Sequence, residues 1–215
     1  AFYSITNEQG KSSLTSILLP STLTSIAVGA FYECTGLVTV SIPSTLTSFE
    51  ILAFALCSNL SEISIPYGVT SIGERAFYGC GNLTSIVVNP SYPVDLSNTQ
   101  EVFSGVNKNL CNLNVPFGAK GLYAAANQWG DFTNIIEEET GIFVNKANLK
   151  LGVTGGSNET VGIIANVAWE ASSDKFWLKV DPTSGTGNQA LTLTFEANQE
   201  QLSRSSKITV SANGT

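Results

Sequence analysis

Three groups of side chains in this sequence have types and spacings that chemistry could use. Glu50 and Glu74 fall at neighbouring places in similar stretches of chain, and two carboxylates flanking a sugar could act as acid and base in glycoside hydrolysis. Four cysteines, Cys34, Cys57, Cys80 and Cys111, could pair, hold a metal or stay reduced. Trp169 and Trp177 could form an aromatic platform for a sugar ring. Histidine is absent from all 215 residues, which removes the commonest general base and the commonest transition-metal ligand together. Serine triads, Cys–His dyads and most zinc sites are thereby excluded.

An internal repeat positions the first two groups. Proline recurs at Pro20, Pro43 and Pro66, a spacing of 23. The same offset carries Leu23, Leu46 and Val69, then Ile26, Phe49 and Ile72, then Ala30-Phe31, Ala53-Phe54 and Ala76-Phe77. Cys34, Cys57 and Cys80 follow, then Leu37, Leu60 and Leu83, then Val40, Ile63 and Ile86, then Ile42, Ile65 and Val88. A solenoid whose coils all point the same side chains inward accounts for this register. One such coil buries too little to fold alone, so several must stack. Leu37 to Ile42 suits a short strand with Thr39 and Ser41 facing out, and Ile72 to Cys80 (IGERAFYGC) reads as a tight helical turn on the opposite wall.

Ala1-Phe2-Tyr3 matches Ala30-Phe31-Tyr32, so the chain begins in mid-repeat and more sequence is expected before it. At the other end Val102-Phe103, Leu110, Leu113 and Val115-Pro116 fit a fourth coil stretched by an insertion around Ser91 to Thr99. Tyr123 to Trp129 is a short helix candidate and Phe132 to Ile136 a strand that would cover the last open coil.

From Gly141 the period vanishes. Short alternating runs at Leu149 to Val153, Val161 to Asn166, Trp177 to Val180, Leu191 to Ala197 and Ser206 to Ser211 are separated by turn clusters such as Gly155-Gly156-Ser157-Asn158 and Pro182-Thr183-Ser184-Gly185. That spacing predicts an antiparallel β-sandwich. The chain therefore divides at 1–140 and 141–215. Its charge divides there too: the first part carries eleven acidic residues against four basic, the second six against six. The net charge of −7 sits wholly in the repeats and argues against a nucleic-acid partner or an anionic membrane. No run of eighteen apolar residues exists to span a bilayer.

The stretch IPYGVTSIGERAFYGCGNLTSIVV resembles the BspA-like leucine-rich repeat of bacterial surface proteins, and VPFGAKGLYAAANQWGDFTNI is similar to the cap those arrays carry. The resemblance covers about residues 1 to 138. It implies a right-handed solenoid at the surface of host-associated bacteria, used in adherence or protein interaction, with no enzyme activity. Residues 142 to 215, through Trp169, Trp177, Pro182, Ser184-Gly185, Asn198, Arg204 and Ile208-Thr209-Val210, resemble a BACON domain. That is the Bacteroidetes-associated module named for a proposed carbohydrate-binding role, which also serves as a spacer. The fold expectation is a leucine-rich-repeat solenoid followed by an all-β immunoglobulin-like sandwich.

Each candidate has a structural reading beside its functional one. Three in-line inward thiols cannot all pair, and no C-x-x-C suits a metal, so Cys34, Cys57 and Cys80 read as a reduced core ladder. Cys111, outside that register, would be a free thiol. Tryptophan in a small sandwich usually builds its core. The carboxylates would lie on a shallow surface rather than in a sugar-holding cleft. Asn59-Leu60-Ser61 and Asn82-Leu83-Thr84 match glycosylation sequons but are copies of one coil turn. Outward positions Thr39, Ser41, Glu62, Ser64, Ser85 and Val87 are the default protein-binding surface.

The sequence thus predicts a non-catalytic, monomeric adhesion protein, extracellular or at the cell surface by secretion or a lipid anchor, without cofactor or metal. Its partner would be a host or bacterial surface protein bound by the solenoid. Glycan binding through the sandwich (mucin or polysaccharide, at Trp169 or Trp177) and a spacer role are the alternatives.

Overall fold

The computed structural model describes residues 13–146, 148–149, 151, 158–199 and 202–212. The match at Ala1-Phe2-Tyr3, the turn cluster at Gly155-Gly156-Ser157 and most of the strand expected over Leu149 to Val153 lie outside the described residues. Two compact units result, Ala1–Glu138 and Glu139–Thr215.

The first unit runs β1 (Ser16–Leu18), β2 (Ser25–Ile26), β3 (Thr39–Ser41), β4 (Ser48–Phe49), β5 (Glu62–Ile65), β6 (Ser71–Ile72), β7 (Ser85–Val88), β8 (Asn112–Val115), α1 (Lys120–Ala125) and β9 (Asn134–Glu137). All its strand pairs are parallel. β1 joins β3, and β5-β7-β8-β9 form a second stretch of the same wall with Ile63, Ile86, Leu113 and Ile135 in one row. β2, β4 and β6 make a second wall, with Ile26, Phe49 and Ile72 in register. The alternation within each strand is the pleat at work: Ile63 and Ile65 are buried while Glu62 faces out.

The third wall is built of turns, not the helical turn expected over Ile72 to Cys80. Gly29, Leu52, Arg75, Glu101 and Gln128 form one column of left-handed residues (φ 60, 58, 54, 53 and 63°), and Glu33, Leu56, Gly79 and Gly105 a second (60, 62, 70 and 86°). This alternation aims every second N–H at the following coil. Gly29, Phe31 and Glu33 donate to the carbonyls of Ile51, Ala53 and Ala55; Leu52, Phe54 and Leu56 to Glu74, Ala76 and Tyr78; Arg75, Phe77 and Gly79 to Gln100, Val102 and Ser104. The left-handed conformation costs a non-glycine residue about 1–2 kcal/mol, which the cross-coil hydrogen bonds and the stacking beneath them offset. Phe31, Phe54, Phe77 and Phe103 stack with centroids 4.9, 5.9 and 5.7 Å apart and planes within 9° of parallel.

At the end of the array Trp129 and Phe132 pack on Phe103. Tyr123 Oη donates to Pro90 O at 2.8 Å and Trp129 Nε1 to Val94 O at 2.9 Å, so the insertion is fastened to the cap. The helix begins earlier than expected and stops because Ala126 turns extended. In the fourth coil the turn at 107–111 exposes Leu110 and buries Cys111. Val106, three residues after Phe103 as Cys80 is after Phe77, continues the cysteine column.

The second unit is an antiparallel sandwich. Its strands are β10 (Ile142–Val144), β11 (Asn158–Ala165), β12 (Ala168–Ser173), β13 (Leu178–Asp181), β14 (Ser184–Thr186), β15 (Gln189–Phe195) and β16 (Ile208–Ala212). One sheet has the order β10-β11-β15-β13 and the other β14-β12-β16. Val161, Ile163, Leu178, Val180, Leu191, Leu193 and Phe195 from the first meet Trp169 and Ala171 from the second.

Candidate functional site

The parallel strands place the expected outward residues side by side. Glu62, Ser85, Asn112 and Asn134 share one row, and Ser64, Val87, Asn114 and Ile136 the next. Thr39 and Ser41 extend the wall on β3, against Ser16 and Leu18 of β1, and Ser61 N–H bridges to Val38 O at 3.1 Å. Asn134 Nδ2 donates to Asn112 Oδ1 at 2.7 Å, and Asn114 Nδ2 to Ser85 Oγ at 3.2 Å and Ile86 O at 3.4 Å. Glu62 is the one charge in these two rows, and Val87 and Ile136 add exposed apolar surface. The wall can therefore offer neutral hydrogen bonds from a fixed lattice and little electrostatic steering. Asn112, Asn114, Asn134 and Ile136 escaped the sequence reading because the insertion breaks the 23-residue period before β8.

Cys34, Cys57, Cys80 and Cys111 are all buried free thiols. Cys57 Sγ donates to Phe31 O at 3.0 Å and Cys80 Sγ to Phe54 O at 3.2 Å. Burial pushes the Cys57 thiol far above its ordinary range, Cys80 up to about 12 and Cys111 up to about 11. Neutral thiols of this kind pack and donate; they are poor nucleophiles and poor ligands. The two carboxylates of interest have separate partners. Glu50 Oε1 accepts from Ser25 Oγ and Ser48 Oγ at 3.2 and 2.8 Å, while Glu74 lies 3.6 Å from Arg75 Nη1.

The tryptophans also part company. Trp169 is fully buried, with Nε1 donating to Gly187 O at 3.1 Å. Trp177 is half-buried, its ring covered by the Arg204 guanidinium at 4.1 Å. Beside it Phe176 is 84% exposed, an aromatic that the sequence reading passed over because nothing in its spacing sets it apart.

Residues 8–126 match the BspA type leucine rich repeat region in six copies. The chain belongs to the BspA-type leucine-rich-repeat family. Behind the BspA-type array, residues 142–215 match the viral BACON domain. Over 59 residues the chain is 39% identical to the xyloglucan-specific endo-beta-1,4-glucanase BoGH5A of Bacteroides ovatus, covering 27% of this chain and 12% of that protein. The solved Bacteroides ovatus GH5 xyloglucanase in complex with a XXXG heptasaccharide matches at 34% identity over 35% of this chain and 16% of that one, with a TM-score of 0.33. The chain thus spans only a small part of the length of either. BspA-type repeats and BACON domains are typically non-catalytic modules of surface or secreted bacterial proteins, consistent with a surface-binding role. Among the described residues no helix is long and apolar enough to cross a membrane.

Proposed function

We propose that this chain is a non-catalytic interaction protein of the bacterial surface, held there by secretion or a lipid anchor, which contacts a host or neighbouring bacterial protein through the outward strand wall of its solenoid. The observation that carries this reading is the pair of parallel rows Glu62-Ser85-Asn112-Asn134 and Ser64-Val87-Asn114-Ile136. They present hydroxyls, amides and two exposed apolar side chains on a rigid sheet, and a rigid surface loses little conformational entropy on binding. The test is binding of the whole chain to immobilised host and bacterial surface proteins, with a Ser64→Arg/Val87→Arg double variant beside it. Loss of binding with unchanged melting supports the wall as the contact surface; binding that survives the double variant removes it.

Carbohydrate binding by the sandwich is the second reading, and the exposure of Phe176 next to half-buried Trp177 favours it. An aromatic face standing out from a loop can stack on the C–H face of a pyranose. Saturable binding of a mucin or plant polysaccharide that Phe176→Ala abolishes would move this reading ahead of the first. A spacer, the third possibility, would bind in neither assay.

A further inference from the structure

The turn that closes the strand wall changes character along the array. Ser21 follows β1 and Ser44 follows β3, each just after a proline, whereas Tyr67 follows β5 and Phe117 follows β8 at the same place. The two aromatic turns are built alike: Val69 N–H donates to Pro66 O and Ala119 N–H to Pro116 O, both at 3.1 Å. β7 lies between β5 and β8 in the sheet. Its register sets Val88 beside Ile65 and Val87 beside Asn114, so a few residues further on Tyr67, Pro90 and Phe117 fall in one row. Asn89 N–H, 3.0 Å from Ile65 O, carries that register past the strand ends. Tyr67 is 77% exposed and Phe117 half-buried; Pro90 is buried between them, with Asn89 exposed beside it. Pro90 is itself fixed, its carbonyl accepting from Tyr123 Oη at 2.8 Å. None of residues 64–69, 87–94 and 114–119 is charged.

We propose that this strip binds a neutral β-1,4-linked polysaccharide laid along the array, one sugar ring to each coil, with Tyr67 and Phe117 against every second ring. Neighbouring strands lie about 4.8 Å apart, which puts Tyr67 and Phe117, two strands apart, at about 10 Å. In an extended β-1,4 chain each hexose is turned over relative to the last, so every second ring offers the same C–H face. One such ring is also about as long as one coil is thick. The aromatics thus recur at the period at which the chain repeats a face, and an aromatic ring can stack on that face. Pro90, buried between them, leaves room for the intervening ring, and the exposed Asn89 amide offers a donor and an acceptor to its hydroxyls. An extended peptide advances about 3.3 Å per residue and falls out of step with the coils at once. An α-1,4-linked chain coils away from a straight strip. An anionic glycan would find no cation in the strip and a chain of net charge −7 around it. Both turns are closed by hydrogen bonds, so little conformational entropy is lost on binding. The strip belongs to the solenoid, whereas the carbohydrate reading above places the sugar on the sandwich at Phe176. It also lies beyond the two rows that carry the protein contact, so it stands or falls apart from both readings.

The experiment is titration calorimetry of the full chain with cellohexaose and chitohexaose, beside maltohexaose and decaproline. Saturable binding of either β-1,4 hexasaccharide, with maltohexaose at least about tenfold weaker, supports the proposal, and the tighter of the two tells a glucan from a chitin source. Tyr67→Ala, at an exposed tip, should weaken binding about tenfold with unchanged melting, the worth of one aromatic contact. Tyr67→Phe should retain it. Phe117→Leu, which keeps the buried part of the side chain but not the ring face, should weaken it to a similar degree. Phe176→Ala in the sandwich should leave it unchanged. No binding of either β-1,4 chain at millimolar concentration, equal binding of maltohexaose, binding that survives both Tyr67→Ala and Phe117→Leu, decaproline bound in place of the sugars, or loss on Phe176→Ala instead would each overturn it.

Discussion

The two units reach a similar end, a sealed apolar core, by opposite means. In the solenoid one residue type is used again and again at one place: Phe31, Phe54, Phe77 and Phe103 stack ring on ring, and Cys34, Cys57 and Cys80 follow in a column beside them. In the sandwich nothing repeats, and the fully buried Trp169 fills the middle between two sheets. Repetition spreads the core over many equivalent contacts between neighbours. The sandwich concentrates its core in side chains that have no copy elsewhere.

The sharpest way to break this contrast is to remove one large side chain from each unit. Phe77→Ala deletes a ring packed against Phe49, Phe54 and Phe103 and should cost about 3–5 kcal/mol, lowering the solenoid transition in calorimetry. Trp169→Ala should cost about as much and lower the sandwich transition alone. A single transition shifted by both variants would show that the units do not melt separately.

Alkali should separate the units next. Burial raises the thiols of Cys57, Cys80 and Cys111 above the ordinary value of 9.0, and Tyr123 is raised in the same way. The folded solenoid thus holds protons that its unfolded chain releases. The stability from these groups is fully present below pH 9.0 and is lost progressively as the pH rises from there towards about 12. Residues 141–215 contain neither cysteine nor tyrosine. Melting followed between pH 8 and 11 should therefore show the solenoid falling more steeply than the sandwich; parallel curves would refute the thiol argument.

Smaller effects test the left-handed columns. At Gly79 (φ 70°) a Cβ would also stand 2.6 Å from Leu56 Cδ2, so Gly79→Ala should destabilise the solenoid by about 1–2 kcal/mol. Gly121→Ala, in the cap helix with open space around it, should stabilise by about 0.5–1 kcal/mol. Smallest of all, Phe176→Ala in the sandwich should change stability by less than about 0.5 kcal/mol, since its ring stands in solvent. A larger loss in urea unfolding would mean that Phe176 is a core residue and not a surface available to a ligand.

The repeat was legible because its signal is summed over coils: eight apolar positions recurring every 23 residues leave few ways to be buried together. The sandwich was legible at β11, β13, β15 and β16, whose alternation is strongly apolar. It was illegible at β12, whose AWEASS buries only a tryptophan and an alanine, and at β14, which is SGT. Among the outward residues Thr39, Ser41, Glu62, Ser64, Ser85 and Val87 followed from the period. The asparagines of β8 and β9 did not, because the insertion shifts their numbering without shifting their place in the wall.

Residue order alone therefore determined the coil, its inward side chains and the change of architecture near Gly141, since periodicity and alternation are properties of the chain that burial merely reads. Tertiary structure decided the rest. It chose Trp169, inside β12, for the core and left Trp177, in the turn before β13, half-covered under Arg204. It put Val106 in the cysteine column and turned Leu110 out to solvent. It also ended the rows of cross-coil hydrogen bonds at Glu101, Phe103 and Gly105. Each outcome depends on what packs against a residue from elsewhere in the chain, and local sequence carries no record of that neighbour.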